Sequence, residues 1–153
     1  MKALELKVPP VAQFLVFVAV MWLLAKYLPA LSFEIPARRT LVVLFFCLGG
    51  IVAAPAVAAF RSAGTTVDPR DPGKASRLVV RGIFRYSRNP MYLGLLFLLT
   101  AWAIHLSNPL GFGGLPLFVF CMNRLQISAE EAAMEAQFGD EYRSYRESVR
   151  RWL

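Results

Sequence analysis

The chain has 153 residues, of which 57% are hydrophobic and 18% are charged, and its formal net charge is +7. A soluble domain is nearer half apolar and a quarter charged, and a disordered chain is poor in apolar residues, so the composition argues against both classes. The length allows one domain. A basic excess can indicate nucleic-acid binding, an anionic surface or orientation in a membrane, and the positions of the charges decide between these.

The apolar residues fall into four blocks, at residues 11–28, 40–60, 91–106 and 109–122. A membrane-spanning helix needs roughly 20 apolar residues, with a range of about 17 to 25. The second block meets this requirement easily and the first meets it narrowly. The last two blocks are short and could be core helices or a re-entrant pair. We predict that they form a helical hairpin turned at Ser107, Asn108 and Pro109, with residues 111–114 as the alternative turn.

The basic residues predict how these blocks are oriented. The segment 61–90 carries seven Lys or Arg side chains against two acidic ones, and five more Arg follow from Arg124 onward. Four spans place both segments and the basic N-terminus on one side. Because cytoplasmic loops are rich in Lys and Arg, we predict a multi-pass protein, of a bacterial inner membrane, with both termini cytoplasmic. No motif typical of nucleic-acid binding accompanies the charge, so we predict no nucleic-acid partner.

The N-terminus could be mistaken for a signal peptide, since a basic start precedes an apolar stretch. However, Lys26 interrupts the far end of that stretch, and no small-x-small cleavage site follows. We therefore expect the first span to be retained. Cys47 and Cys121 are isolated, without the spacing of metal ligands, so we predict no metal site.

The segment 61–90 is long for a connection, and such loops are typically functional or disordered. It contains a turn-rich run at residues 68–73 and then Gly82, which can supply a special backbone angle. Pro90 suits the first turn of the third helix, and Asn89 suits its N-cap. The N–H groups at that helix start, with Arg85 and Arg88, could bind an anion or carboxylate. The alternative, favoured locally, is a capped helix whose Arg side chains anchor at the lipid headgroups.

A hairpin would return the chain to the same side as Asn89, immediately before Glu130 and Glu131. Two carboxylates near a cationic helix start would make a bipolar site. The alternative, again favoured by local pattern, is a capping box in which Ser128 and Glu131 simply start a helix.

The tail has one apolar face at helical spacing, formed by Phe138, Tyr142, Tyr145, Val149 and Trp152. This pattern predicts an amphipathic helix on the membrane or against the loop. Gly139 breaks the helix, and Asp140 can start a new one. Tyr142 and Tyr145 could also reach a ligand.

Taken together, four sequence motifs resemble the isoprenylcysteine carboxyl methyltransferase and phospholipid methyltransferase group of integral-membrane enzymes. Residues 88–94, RNPMYLG, resemble the motif R-(H/N)-P-x-Y-x-G, and residues 82–86, GIFRY, resemble its lead-in. The Glu130-Glu131 pair resembles the family's E-E pair, and residues 138–145 its F-G-x-x-Y-x-x-Y tail. The resemblance covers roughly residues 65–153. Many members have His where this chain has Asn89, which can hydrogen-bond but cannot carry charge.

The resemblance implies S-adenosylmethionine as cofactor and a lipid-like acceptor that enters from the bilayer. The residues it implies at the cofactor, together with neighbours that suit its charges, are Arg85, Arg88, Asn89, Pro90, Tyr92, Gly94, Glu130, Glu131, Tyr142 and Tyr145. Gly94 would let the backbone approach the cofactor, and the glutamates would lie near its polar or ribose end. No catalytic residue is assigned.

The sequence therefore predicts an all-α polytopic membrane protein with about four transmembrane helices and a C-terminal amphipathic cytosolic helix. It forms one domain, 1–153, made of two N-terminal spans (1–60), a basic loop (61–90), a helical hairpin (91–123) and a cytosolic tail (124–153). The acceptor could be a carboxylate, a thiol or an amine, and the oligomeric state is open. The alternative to an enzyme is a small membrane scaffold or transporter subunit.

Overall fold

The computed structural model describes residues 8–62 and 77–153, and within these ranges all regular structure is helical. The helices are α1 (Pro10–Tyr27), α2 (Arg38–Ser62), α3 (Pro90–Leu106), α4 (Pro109–Met122) and α5 (Ser128–Ser148). A π-helical turn, Asn123–Ile127, joins α4 to α5, and short 3-10 helices cover Pro29–Leu31 and Gly82–Arg85. The predicted all-α class is confirmed. The predicted turn-rich run at residues 68–73 lies outside the described residues.

Three helical segments are long and apolar enough to cross a membrane: α1, α2 and the continuous 40-residue stretch Pro109–Ser148. Because roughly 20 residues suffice to cross, α4 and the π turn supply that apolar crossing, and the polar α5 extends beyond it. The shorter α3, with 17 residues, runs back along α4. The chain is therefore a multi-pass membrane protein. The N-terminal ends of α1 and α3 and the C-terminal ends of α2 and α4 share one end of the bundle, called here the polar end.

The turn between α3 and α4 lies where the hairpin was predicted. Ser107 ends α3 in the left-handed region at φ 51°, and the Asn108 side chain accepts a hydrogen bond from the Leu110 N–H at 3.1 Å. The buried Asn108 amide also donates to the Leu28 carbonyl at 3.1 Å, which ties this turn to the end of α1. The alternative turn at residues 111–114 is wrong, because these residues lie inside α4.

Helices α2 and α3 approach closely at two glycines. A Cβ atom on Gly94 would lie 2.7 Å from the Ala53 Cβ and 2.9 Å from the Gly49 carbonyl oxygen. A Cβ on Gly49 would in turn lie 2.8 Å from the Leu98 side chain. Small residues allow such close backbone contact in membrane helices. This contact fixes the start of α3 against α2.

We expect Gly94→Ala to lower the free energy of unfolding by about 1–3 kcal/mol, because the added methyl group overpacks the contact between the helices. The measurement is a detergent-denaturation titration followed by circular dichroism. The control is Gly113→Ala in α4, where an added Cβ meets nothing within 4 Å. Gly113→Ala should leave the free energy of unfolding unchanged or raise it by about 0.5–1 kcal/mol. Equal effects of the two substitutions would contradict the packing role of Gly94.

The C-terminal tail departs from the predicted helix. Gly139 does kink α5, at φ 53° and ψ −123°, as predicted. However, α5 ends at Ser148, and Val149 is extended, so the prediction that Val149 and Trp152 continue the helical face is wrong. The extended tail folds back so that the Arg150 carbonyl accepts a hydrogen bond from the Arg88 N–H at 3.0 Å. The N–H groups that precede a helix lack intrahelical partners, and the tail supplies one.

Candidate functional site

Five side chains form a polar cluster at the polar end of the bundle: Arg88, Tyr92, Glu130, Glu131 and Arg151. They come from three places, namely the start of α3, the first turn of α5 and the extended tail. The hairpin explains the first two, because it returns the chain to the level at which α3 begins.

Glu131 is shared between two guanidinium groups. Its Oε1 lies 2.8 Å from Arg88 Nη2 and 3.1 Å from Arg151 Nε, while its Oε2 accepts from Arg151 Nη2. The Arg88 and Glu131 side chains are only 10% and 13% exposed, and that of Arg151 is 35% exposed. Arg88 also donates to the Arg146 carbonyl at 2.9 Å. Glu131 thus holds the start of α3, α5 and the tail together.

The capping-box interpretation of Ser128 and Glu131 is wrong. Helix α5 continues from the π turn without a side-chain cap, and the Ser128 hydroxyl donates to the Asn123 carbonyl at 2.7 Å. Because the helix does not begin at Ser128, there is no free N–H group to cap. Glu131 is left to bind the two arginines.

Glu130 lies beside Tyr92, whose hydroxyl donates to Oε1 of the carboxylate. Tyr92 is buried, at 6% exposure. Burial raises the pKa of Glu130 to about 7; the hydrogen bond from Tyr92 opposes this shift, and the neighbouring Glu131 charge adds to it. Desolvation disfavours a charged carboxylate, which explains the direction of the shift at Glu130. Glu131 is ion-paired, whereas Glu130 is poised to gain or lose a proton near neutral pH.

Asn89 occupies the predicted N-cap position of α3, but its side chain does not cap the helix. Its Nδ2 donates instead to the Arg151 carbonyl at 3.0 Å, and its backbone N–H donates to Ser87 Oγ at 3.1 Å. Pro90 is buried at the first helical position, as predicted. Asn89 therefore fixes the tail that carries Arg151 into the cluster.

Besides Asn89 and Pro90, four residues predicted for the site lie outside the cluster. Arg85 is exposed at the end of its 3-10 helix. Gly94 faces α2, and helix packing accounts for its missing side chain. The Tyr145 hydroxyl donates to the Phe84 carbonyl at 2.8 Å, and the buried Tyr142 packs against Tyr145. The two tyrosines attach α5 to the segment that leads into α3. Gly82 in that segment has φ 63°, as predicted.

Sequence reasoning missed Arg151. Its place in the cluster depends on the extended tail, and the helical spacing of Val149 and Trp152 concealed that extension. The Trp152 indole, which donates to Asn123 Oδ1 at 3.2 Å, holds the same tail. Nothing in the local sequence around Arg151 indicated a contact with Glu131.

The cluster is suited to an anion as well as to a cation. Two guanidinium groups face the ion-paired Glu131 carboxylate, and burial raises the pKa of the adjacent Glu130. The Arg88 Nε–H is buried and has no hydrogen-bond partner in the described part of the chain. A buried donor of this kind normally has a partner. The arrangement can therefore accept a carboxylate at Arg88 while Glu130 faces a cationic or hydroxyl group.

Comparison with known proteins identifies the family of this chain. A family profile described as phospholipid methyltransferase matches residues 37–141, and the chain belongs to this family of membrane proteins. Membership supports membrane methyltransferase activity, and the resemblance found in the sequence is confirmed. The matched region contains four of the five cluster residues and excludes Arg151.

Two relatives show how far the similarity extends. The chain is 49% identical over 63 residues, 41% of its length, to the whole of an uncharacterized protein of Haemophilus influenzae. It is 28% identical over 123 residues, 78% of its length, to a protein-S-isoprenylcysteine O-methyltransferase of Schizosaccharomyces pombe. The alignment spans half of that yeast enzyme. No solved structure matches the chain. Within residues 8–62 and 77–153, no group of three or more His, Cys, Asp or Glu side chains could hold a metal ion.

Proposed function

We propose that the protein transfers a methyl group from S-adenosylmethionine to a lipid-like or small hydrophobic acceptor at the cytosolic face of a bacterial inner membrane. The observation that carries this proposal is the polar cluster. It brings two arginines and two glutamates together at one end of a membrane bundle. Family membership supplies the reaction class.

The residues of the cluster fit the groups of this cofactor. The unpaired Arg88 Nε–H, with Arg151 beside it, suits a carboxylate, because charge-assisted hydrogen bonds from guanidinium are strong. The Glu130 carboxylate suits the ammonium group or the ribose hydroxyls, with Tyr92 orienting it. Asn89 and Pro90 position these groups from the start of α3. Arg85, Gly94, Tyr142 and Tyr145 stay predictions from the sequence, and the proposed cofactor site is built without them.

When bound, the cofactor supplies a methyl group that is already activated by the positive charge on its sulfur. The chain then has to hold and align the reactants, and alignment alone can account for a large part of a rate enhancement. Glu131 keeps Arg88 and Arg151 fixed before the cofactor binds. The buried Tyr92 and the half-buried Glu130 exclude water from one side of the cluster. The acceptor would reach this site from the apolar interior of the bilayer.

The first test titrates detergent-purified protein with S-adenosylmethionine by calorimetry. Saturable one-site binding is expected. Absence of binding to protein whose circular dichroism shows an intact fold would remove the enzyme proposal and favour a scaffold or transporter subunit.

Cofactor affinity should depend on pH because the pKa of Glu130 is raised to about 7. The ionised carboxylate binds the cationic cofactor, so affinity should rise by about tenfold between pH 6 and pH 8, as the proton leaves. The measurement is the dissociation constant across this range. Glu130→Gln, measured identically, corrects for titration of the cofactor's own amine. A wild-type profile that runs parallel to the Glu130→Gln profile would contradict a role for Glu130 in cofactor binding.

A further inference from the structure

Two glutamines are buried at the polar end, between α1 and the π turn. Gln13 is 6% exposed and Gln126 is completely buried. Both side-chain amides donate to one acceptor, the Val8 carbonyl: Gln13 Nε2 lies 3.1 Å from it, and Gln126 Nε2 bonds it as well. This shared acceptor fixes the orientation of both amides, since the reverse orientation would set amide oxygens against a carbonyl oxygen.

The two amide oxygens are left without donors. Oε1 of Gln13 and Oε1 of Gln126 are buried and accept no hydrogen bond in the described part of the chain. A buried acceptor without a partner costs about 1–3 kcal/mol. Two such oxygens, on side chains that are held by a single carbonyl, would be satisfied by a partner that carries N–H or O–H groups.

The glutamines lie beside the proposed cofactor site. Ile127, next to Gln126, belongs to the same apolar core cluster as Tyr92, and Phe14, next to Gln13, packs against that cluster. Gln126 also precedes Glu130 by four residues, a spacing that places side chains on one helix face. The π turn that carries Gln126 is a feature often found at functional sites.

We propose that Gln13 and Gln126 form the binding site for the head group of the methyl acceptor, and that this head group is a hydrogen-bond donor, an amine or an alcohol. The proposal rests on the proposed methyl transfer. A carboxylate or thiolate offers no hydrogen to the two oxygens and would be repelled by their partial negative charge. The pair therefore selects one of the acceptor classes that the sequence left open.

The test uses octadecylamine, octadecanol, octadecanoate and octadecanethiol as probes, which share one alkyl chain. Purified protein in lipid nanodiscs receives each probe with methyl-labelled S-adenosylmethionine. We expect label in the amine or the alcohol and none in the other two. Gln126→Met should raise the KM of that probe about tenfold, the loss of one hydrogen bond, while the dissociation constant of the cofactor stays unchanged. Leu125→Met, in the same π turn, is the control and should leave the KM unchanged.

Binding without turnover gives a second measurement. The reactive probe should raise the unfolding midpoint of the wild-type protein but not that of Gln126→Met, or of Gln13→Met if the first variant does not fold. Label in octadecanoate or octadecanethiol, or in no probe although the cofactor binds, would overturn the inference and leave the proposed function standing. If Gln126→Met lowers the unfolding midpoint but leaves the KM unchanged, buried water satisfies the two glutamine oxygens. That result would also overturn the inference. Failure of cofactor binding would instead remove the proposed function.

Discussion

Glu131→Gln should lower the free energy of unfolding by about 3 kcal/mol. The substitution leaves the guanidinium groups of Arg88 and Arg151 close together without the charge that holds them. Breaking a buried ion pair from one side typically costs about 3–5 kcal/mol, and the lower end applies because Arg151 is 35% exposed and can turn toward water. The measurement is a denaturation titration in mixed micelles followed by circular dichroism.

Glu135→Gln provides a matched control on the same helix. Glu135 also bridges two arginines, at 2.9 Å from Arg143 Nε and 2.7 Å from Arg146 Nη1, but those arginine side chains are 55% and 42% exposed. Exposed ion pairs contribute about 0–1 kcal/mol, so Glu135→Gln should lower the free energy of unfolding by less than about 1 kcal/mol. If the two variants lose the same stability, Glu131 does not hold the site together.

Arg88→Lys should weaken binding of S-adenosylmethionine by roughly 10- to 150-fold. Lysine keeps the positive charge and can still pair with Glu131, but it lacks the buried Nε–H that we assign to the cofactor carboxylate. A hydrogen bond to a charged group contributes about 1.5–3 kcal/mol, which gives this range of affinity. Calorimetric titration of the purified variant measures it.

Arg85→Lys is the corresponding control, since Arg85 lies three residues earlier and is exposed outside the cluster. Its dissociation constant should equal that of the wild-type protein. A larger loss of affinity from Arg85→Lys than from Arg88→Lys would show that Arg85, and not Arg88, binds the cofactor carboxylate. Either sequence position was compatible with that role before the structure separated them.

Much of the fold follows from local pattern. The lengths of the apolar blocks predicted α1 to α4 to within a few residues, and Pro90 predicted the start of α3. Gly82 has the special backbone angle predicted for it, and Gly139 interrupts the helix as predicted. These features depend on a few neighbouring residues, which is why they can be read from the sequence.

The site was only partly predictable, because its contacts join distant parts of the chain. The motifs pointed to Arg88, Tyr92, Glu130 and Glu131, yet local pattern favoured a capping box for Glu131. Only the continuous π turn ahead of α5 removes that alternative. Arg151 reaches the cluster because the tail that carries it is extended. The spacing of the apolar residues in this tail is nevertheless typical of a helix. Tertiary hydrogen bonds to the start of α3 decide its conformation.

The most direct test of the proposed methyl transfer measures transfer of label from methyl-labelled S-adenosylmethionine into a membrane lipid extract, with wild-type protein and Glu130→Gln compared in nanodiscs. We predict labelled lipid-soluble product from the wild-type protein and at least about a tenfold lower rate from Glu130→Gln, which loses one charged contact to the cofactor. Equal labelling by both proteins, or no labelling by a wild-type protein that binds the cofactor, would contradict it.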